Sequence, residues 1–126
     1  MPKHPLSHFD AYMRFLRLSA PLKSSKDALS VNEMALFEEI MLAWSQSTPL
    51  SVSQAIGIER LGAHATLFKR LAELRHRKLI ETIKDESDIR TKYLVPTVQG
   101  IDYMCRFAKA MAKSESSPEN KKAIQK

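Results

Sequence analysis

One cysteine, three glycines and one tryptophan stand in a chain of 126 residues, and each scarcity removes a class of protein. The lone Cys105 has no partner for an internal disulfide, which fits a reducing, cytoplasmic setting. So few glycines form no phosphate-cradling loop, and no nucleophile motif accompanies them. Long apolar runs are missing too, since nothing approaches the roughly 18 residues of a membrane-spanning helix. The stretch "MPKHPLSHFDAYMRFLRLSA" interrupts its apolar residues with His8, Asp10, Arg14 and Arg17, so no secretory leader and no membrane partner are expected. Of the four histidines, His4 and His8 stand four apart but have no third ligand at metal-binding spacing. The expectation is therefore no metal, no cofactor and no enzyme.

What is present is one core's worth of apolar residues, 44% of the chain, and a formal net charge of +6. That charge is unevenly spread. Between Ser30 and Glu59 there is no Lys or Arg, and Glu33, Glu38, Glu39 and Glu59 make the segment −4. From Arg60 to Lys92 nine basic residues face five acidic ones, a local +4. Cations gathered in one region suggest a polyanionic partner.

The pattern along the chain predicts a mainly α protein with a small β-hairpin. A first helix is expected over about 6–19, with Ser7 as a candidate cap and Leu6, Phe9, Met13 and Leu16 on one side. Pro21 and "KSSKD" read as a linker. Ser30 and Glu33 have capping-box spacing before Met34, Phe37, Ile40, Met41 and Trp44, a stripe read as core, and Pro49 would end that helix. Ser51 and Gln54 repeat the device, predicting a short helix over Val52 to Arg60. After Gly62 a helix over about 63–77 carries Leu67, Leu71 and Leu74 on its inner stripe and Lys69, Arg70, Glu73, His76 and Arg77 opposite. "LIETIK" and "TKYLVPT" flank "DESDIR" as an antiparallel hairpin. Pro96 would close its second strand and Thr97 would cap a last helix over about 98–112, with Ile101, Cys105, Ala108 and Ala112 aligned. One domain over 1–113, with its core over about 30–97, and a disordered tail over 114–126 complete the expectation.

Two short helices with a glycine between them, the second basic and followed at once by a charged hairpin, is the order of a winged helix-turn-helix. Such a helix fits the DNA major groove, and a hairpin tip reaches the adjacent minor groove, whose negative potential favours arginine.

"TLFKRLAELRHRKLIE" and "DESDIRTKYLVPT" also carry a resemblance. Over roughly residues 30 to 104 the chain resembles the DNA-binding core of MarR-type transcriptional regulators, including their Asp-x-x-Asp-x-Arg wing. The resemblance implies a homodimer formed through the terminal helices, double-stranded DNA as partner and a possible small-molecule effector. It implies that His64, Ala65, Thr66, Phe68 and Lys69 form the base-reading and phosphate-facing part of the recognition helix, that Asp88 braces the wing (85–92) and that Arg90 enters the minor groove. Arg70, Arg77 and Lys92 join them as candidate DNA contacts. Two departures stand out: Ala63, His64 and Ala65 replace a more polar helix start, and Lys78 stands where relatives usually have glycine.

Several residues carry two readings at this stage. Phe68 could meet thymine methyls or pack inside. Arg70 or Arg75 could face phosphates or pair with internal acids, and Arg90 could be held by Asp85 and Asp88 as a loop closure. Cys105, on an apolar face, is expected to be buried and structural. A winged helix can also serve as a protein-interaction module without DNA, which is the competing function.

Overall fold

The computed structural model describes residues 5–115. The helices are α1 (Pro5–Ser24), α2 (Val31–Ser45), α3 (Val52–Ile56), α4 (His64–His76) and α5 (Val98–Glu115), with a short 3-10 turn at Glu59–Leu61. The strands β1 (Ile80–Lys84) and β2 (Lys92–Pro96) pair antiparallel, Ile80 opposite Pro96 and Lys84 opposite Lys92. The chain divides into two compact units, Leu29–Tyr103 and the two chain ends.

The unit over Leu29–Tyr103 is a winged helix-turn-helix. Its core is apolar: Leu36, Phe37 and Ile40 of α2, Ala55 of α3, Leu67 and Leu74 of α4, and Leu94 of β2 are all fully buried. Burial of one such leucine contributes about 1.5–3 kcal/mol, so this layer dominates the unit's stability. Both expected capping boxes form. The Ser30 hydroxyl accepts from Glu33 N–H at 3.1 Å while Glu33 accepts from Ser30 N–H at 3.0 Å, and Ser51 and Gln54 repeat the exchange at 3.1 and 2.9 Å. The hairpin gains a third neighbour that local sequence does not announce. Ser51 bridges Tyr93, and the Leu94 N–H donates to the Leu50 carbonyl at 2.8 Å.

Helices α2 and α4 end in the same way. After α4, Lys78 takes a left-handed φ of 63°, the Lys78 N–H bonds the Arg75 carbonyl and the Leu79 N–H reaches the Leu74 carbonyl. After α2, Ser47 has φ 65°, with Ser47 N–H to Trp44 and Thr48 N–H to Ala43. Both are Schellman motifs built without glycine. Lys78 therefore does terminate the helix, at a conformational cost.

Gly100 is required by a close approach instead. A methyl group built there would run into the Leu79 carbonyl oxygen, so the first turn of α5 lies against the end of α4. Thr97 caps that turn as expected, accepting from Gly100 N–H at 3.0 Å. Tyr103 completes the anchor: its hydroxyl accepts from Leu29 N–H at 3.0 Å and its ring meets Phe37 edge-on.

In the unit formed by the chain ends, the Arg14 guanidinium donates twice to the Ser114 carbonyl, at 3.0 and 2.8 Å. Buried Ala110 and Ser114 lie on the side of α5 opposite Cys105, Ala108 and Ala112 by helical spacing, and those three are exposed.

Several expectations need correction. Helix α1 runs from Pro5, so Ser7 lies within it instead of preceding it as the cap, and it continues through Pro21 to Ser24 instead of giving way to a linker. Proline in the final turn removes only one late hydrogen bond, which limits its disruption. Helix α3 stops at Ile56, because the chain tightens through Gly57 into the 3-10 turn before Arg60. Trp44 is 39% exposed, at the outer end of α2, while Leu36 takes the core place beside Phe37. Cys105 is exposed, on the stripe of α5 that faces away from the buried side. Helix α5 reaches Glu115; residues 116–126 of the expected tail, like His4, lie outside the described residues.

Candidate nucleic-acid interface

The inner stripe of α4, Leu67, Leu71 and Leu74, is buried, and that fixes what the rest of the helix can present. Ala65, Lys69, Ala72 and His76 form the row opposite it, with Thr66, Phe68 and Arg75 beside them, all exposed. Phe68 is 58% exposed, which excludes the packed reading within this chain. His64 is exposed in the first turn. Ala63 supplies no side-chain cap, so first-turn N–H groups are left for solvent or an anion. Gly62 precedes it with φ 145°, a backbone that L side chains rarely adopt.

The cations on α4 divide into two kinds. Arg70 is half-buried and donates to the Leu61 carbonyl at 2.9 Å, tying α4 to the turn before it. Its partner is a carbonyl and not an acid. Arg77, also half-buried, pairs with Glu73 at 3.2 Å one turn earlier. Lys69 and Arg75 are exposed. Arg70 and Arg77, both candidate contacts, thus each have a partner within the chain, and Arg60, outside the candidate set, pairs with Glu39 at 2.7 Å.

The wing loop is held by its two aspartates. Asp85 accepts from the Ser87 N–H at 3.0 Å, the Ser87 hydroxyl at 3.1 Å and the Tyr93 hydroxyl at 3.2 Å. These bonds, the Ser87 backbone foremost, hold its carboxyl below the ordinary 3.8. Asp88 accepts from the Arg90 N–H at 3.0 Å and the Thr91 hydroxyl at 3.1 Å. Its contact with the Arg90 guanidinium is long, 3.5 Å, and that side chain is 90% exposed. Asp88 therefore braces the backbone of the loop tip and lets the guanidinium project. Asp85 does not pair with Arg90. Exposed Lys92 begins β2, and Ile89 at the tip is exposed as well.

Reasoning from sequence passed over Ala72, although the spacing of Ala65 and Lys69 leads to it. A cleft of about 460 Å³ lies where the last turns of α4 meet β1, lined by Ala72, Arg75, His76, Ile80, Glu81 and Thr82. Among the described residues, no group of three or more His, Cys, Asp or Glu side chains could hold a metal ion, and no helix is long and apolar enough to cross a membrane.

No protein-family model matches the chain, and no curated protein does. Solved structures do. The Staphylococcus aureus MepR–DNA complex is 17% identical, with a TM-score of 0.59 over 95% of this chain and 90% of that one. Streptococcus pneumoniae FabT in complex with DNA is 22% identical, with a TM-score of 0.55 over 95% and 84%. S. aureus MepR bound to ethidium bromide is 18% identical, with a TM-score of 0.65 over 98% and 90%. The chain thus shares the fold of these structures, a winged helix-turn-helix with further helices at the chain ends, which is the fold that the resemblance implied.

Proposed function

We propose that this chain is a sequence-specific double-stranded DNA-binding transcriptional regulator, without enzymatic activity, that acts as a homodimer. The recognition helix, about 63–77, enters the major groove and the wing, 85–92, the minor groove. The observation that carries this reading is the exposure of Phe68 and Lys69 on α4, whose cations Arg70 and Arg77 are occupied internally, together with an exposed Arg90 on a braced loop. Phe68 would touch thymine methyls, while His64, Thr66, Lys69 and Lys92 would meet base edges or phosphates. Arg70 and Arg77 act by shaping the helix. The DNA complexes of MepR and FabT, which share the fold, support DNA as the partner.

The homodimer rests on apolar surface that a single chain leaves open. Phe9, Tyr12 and Leu18 of α1 and Ile101 and Met111 of α5 are exposed, as is the stripe of Cys105, Ala108 and Ala112. A small-molecule effector would be sought in the cleft of about 430 Å³ whose lining includes His8, Tyr12, Phe15, Met111 and Glu115.

Selection of bound duplexes from a random pool tests the reading. An enriched inverted repeat with half-sites about one helical turn apart is expected, whereas a pool that stays random after repeated rounds contradicts it. One observation favours a second reading: Ala65 and Ala72 leave the outer row of α4 poor in hydrogen-bonding groups, as suits a protein-docking surface. That module would show no salt-dependent DNA affinity and would hold an acidic protein through purification.

A further inference from the structure

Tyr93 stands in the second strand of the wing, where its backbone bridges the helix-turn-helix and its side chain reaches the wing loop. In β2 it pairs with Ile83 on one side and bridges Ser51 on the other, and Ser51 is the cap of α3. The next residue strengthens that junction through the Leu94 N–H to Leu50 carbonyl bond of 2.8 Å. At its other end, the Tyr93 hydroxyl donates to Oδ2 of Asp85 at 3.2 Å, while Oδ1 takes both Ser87 donors. Asp85 is the first residue of the wing loop, and its own N–H bonds the Thr91 carbonyl at 3.0 Å. The two aspartates thus divide the loop: Asp88 shapes the tip, and Asp85 fastens the base to the sheet.

We propose that the Tyr93 hydroxyl, received by the Asp85 carboxylate, is the positioning group that fastens the base of the wing loop to β2, the strand bridged to the helix-turn-helix, and so sets where Arg90 lies. Two-stranded hairpins are marginal by themselves, so a wing that must present one arginine at a defined place needs an attachment beyond its ladder. A phenylalanine would supply the same ring without that attachment. The raised phenol of Tyr93, caused first by its bond to Asp85, agrees with the geometry. Neither residue needs to touch DNA. The second half of the inference, the placement of Arg90 in a groove, rests on the DNA-binding reading above.

The test uses the full chain and the variants Tyr93→Phe, Arg90→Ala and their combination. The first readout, amide hydrogen exchange by NMR, needs no DNA. Loss of one hydrogen bond should lower protection of the Asp85 and Thr91 amides about fivefold and leave the Leu71 and Leu74 amides unchanged. The second readout is affinity for the selected duplex. Tyr93→Phe should weaken it about three- to tenfold in the wild-type background and have no effect once Arg90 is alanine, because both changes remove one interaction. Asp85→Asn, which keeps an acceptor oxygen, should retain more affinity than Asp85→Ala.

Unchanged exchange in the wing overturns the inference, as does equal loss of protection in α4, which would mark Tyr93 as a general stabiliser. Equal weakening with and without Arg90 overturns the placement of that arginine. If wild type selects no duplex, the DNA-binding reading has failed and the placement of Arg90 in a groove fails with it. The exchange result still decides whether Tyr93 fastens the wing.

Discussion

The Thr97 hydroxyl donates to the Lys78 carbonyl at 2.6 Å and accepts the Gly100 N–H at 3.0 Å, so one side chain closes the end of α4 and opens α5. The Thr97 N–H adds a bond to the Leu79 carbonyl at 3.1 Å. Thr97→Val keeps the shape and removes both hydroxyl bonds. It should cost about 1–2 kcal/mol, read as a lower urea midpoint with an unchanged slope. No loss would mean that the Leu79 bond alone holds the junction.

Lys78 terminates α4 with φ 63°. For a residue with a Cβ this conformation costs about 1–2 kcal/mol, part of which glycine loses again through its freer unfolded chain. Lys78→Gly should therefore raise stability by about 0.5–1 kcal/mol, measured by chemical denaturation. A destabilised variant would show that the lysine side chain makes a contact outweighing its strained backbone.

Phe68 and Arg70 should separate recognition from folding. Phe68 is mostly exposed, so Phe68→Ala should leave the melting temperature within a degree or two and weaken binding to the selected duplex by about tenfold. Arg70 holds the Leu61 carbonyl, so Arg70→Ala should lower thermal stability, and its loss of affinity should follow that of the fold. The opposite assignment of the two effects would refute this division of the α4 face.

The wing should be insensitive to pH across the neutral range. The Asp85 carboxyl titrates below its unfolded value of 3.8, chiefly because of the Ser87 N–H; its contribution is complete above that value and is lost as pH falls through the folded one. The Tyr93 phenol is raised above 10.0 by Asp85, so its contribution is complete below that value and is lost as pH climbs through the folded one. NMR shifts of the Ser87 amide should stay flat between about pH 5 and 9. Movement near neutral pH would mean that another group controls the loop.

Local devices in this chain are legible from sequence, and long-range ones are not. The capping boxes at Ser30 and Ser51, the Thr97 cap and the Leu67, Leu71 and Leu74 stripe each need only three to seven residues of context, and all form. The Ser51 bridge to Tyr93 and the Arg70 bond to Leu61 join segments through tertiary packing, where no spacing rule applies. Cys105 illustrates a further limit. Its apolar stripe on α5 is real, but periodicity identifies a stripe without saying whether this chain buries it, and Tyr103, Ala110 and Ser114 occupy the buried side. Pro21 shows the weight of position, since a proline in a last turn ends nothing.

Binding of the wild-type chain and Lys69→Ala to a selected duplex and its scrambled control, across about 50 to 200 mM salt, tests the central claim most directly. The expected result is wild-type affinity about a thousandfold higher for the selected duplex, falling steeply with salt, and a slope shallower by about one for the variant. Weak, equal binding to both duplexes, with the same slope for both proteins, would contradict a sequence-specific regulator and leave only the attraction of a basic protein for a polyanion.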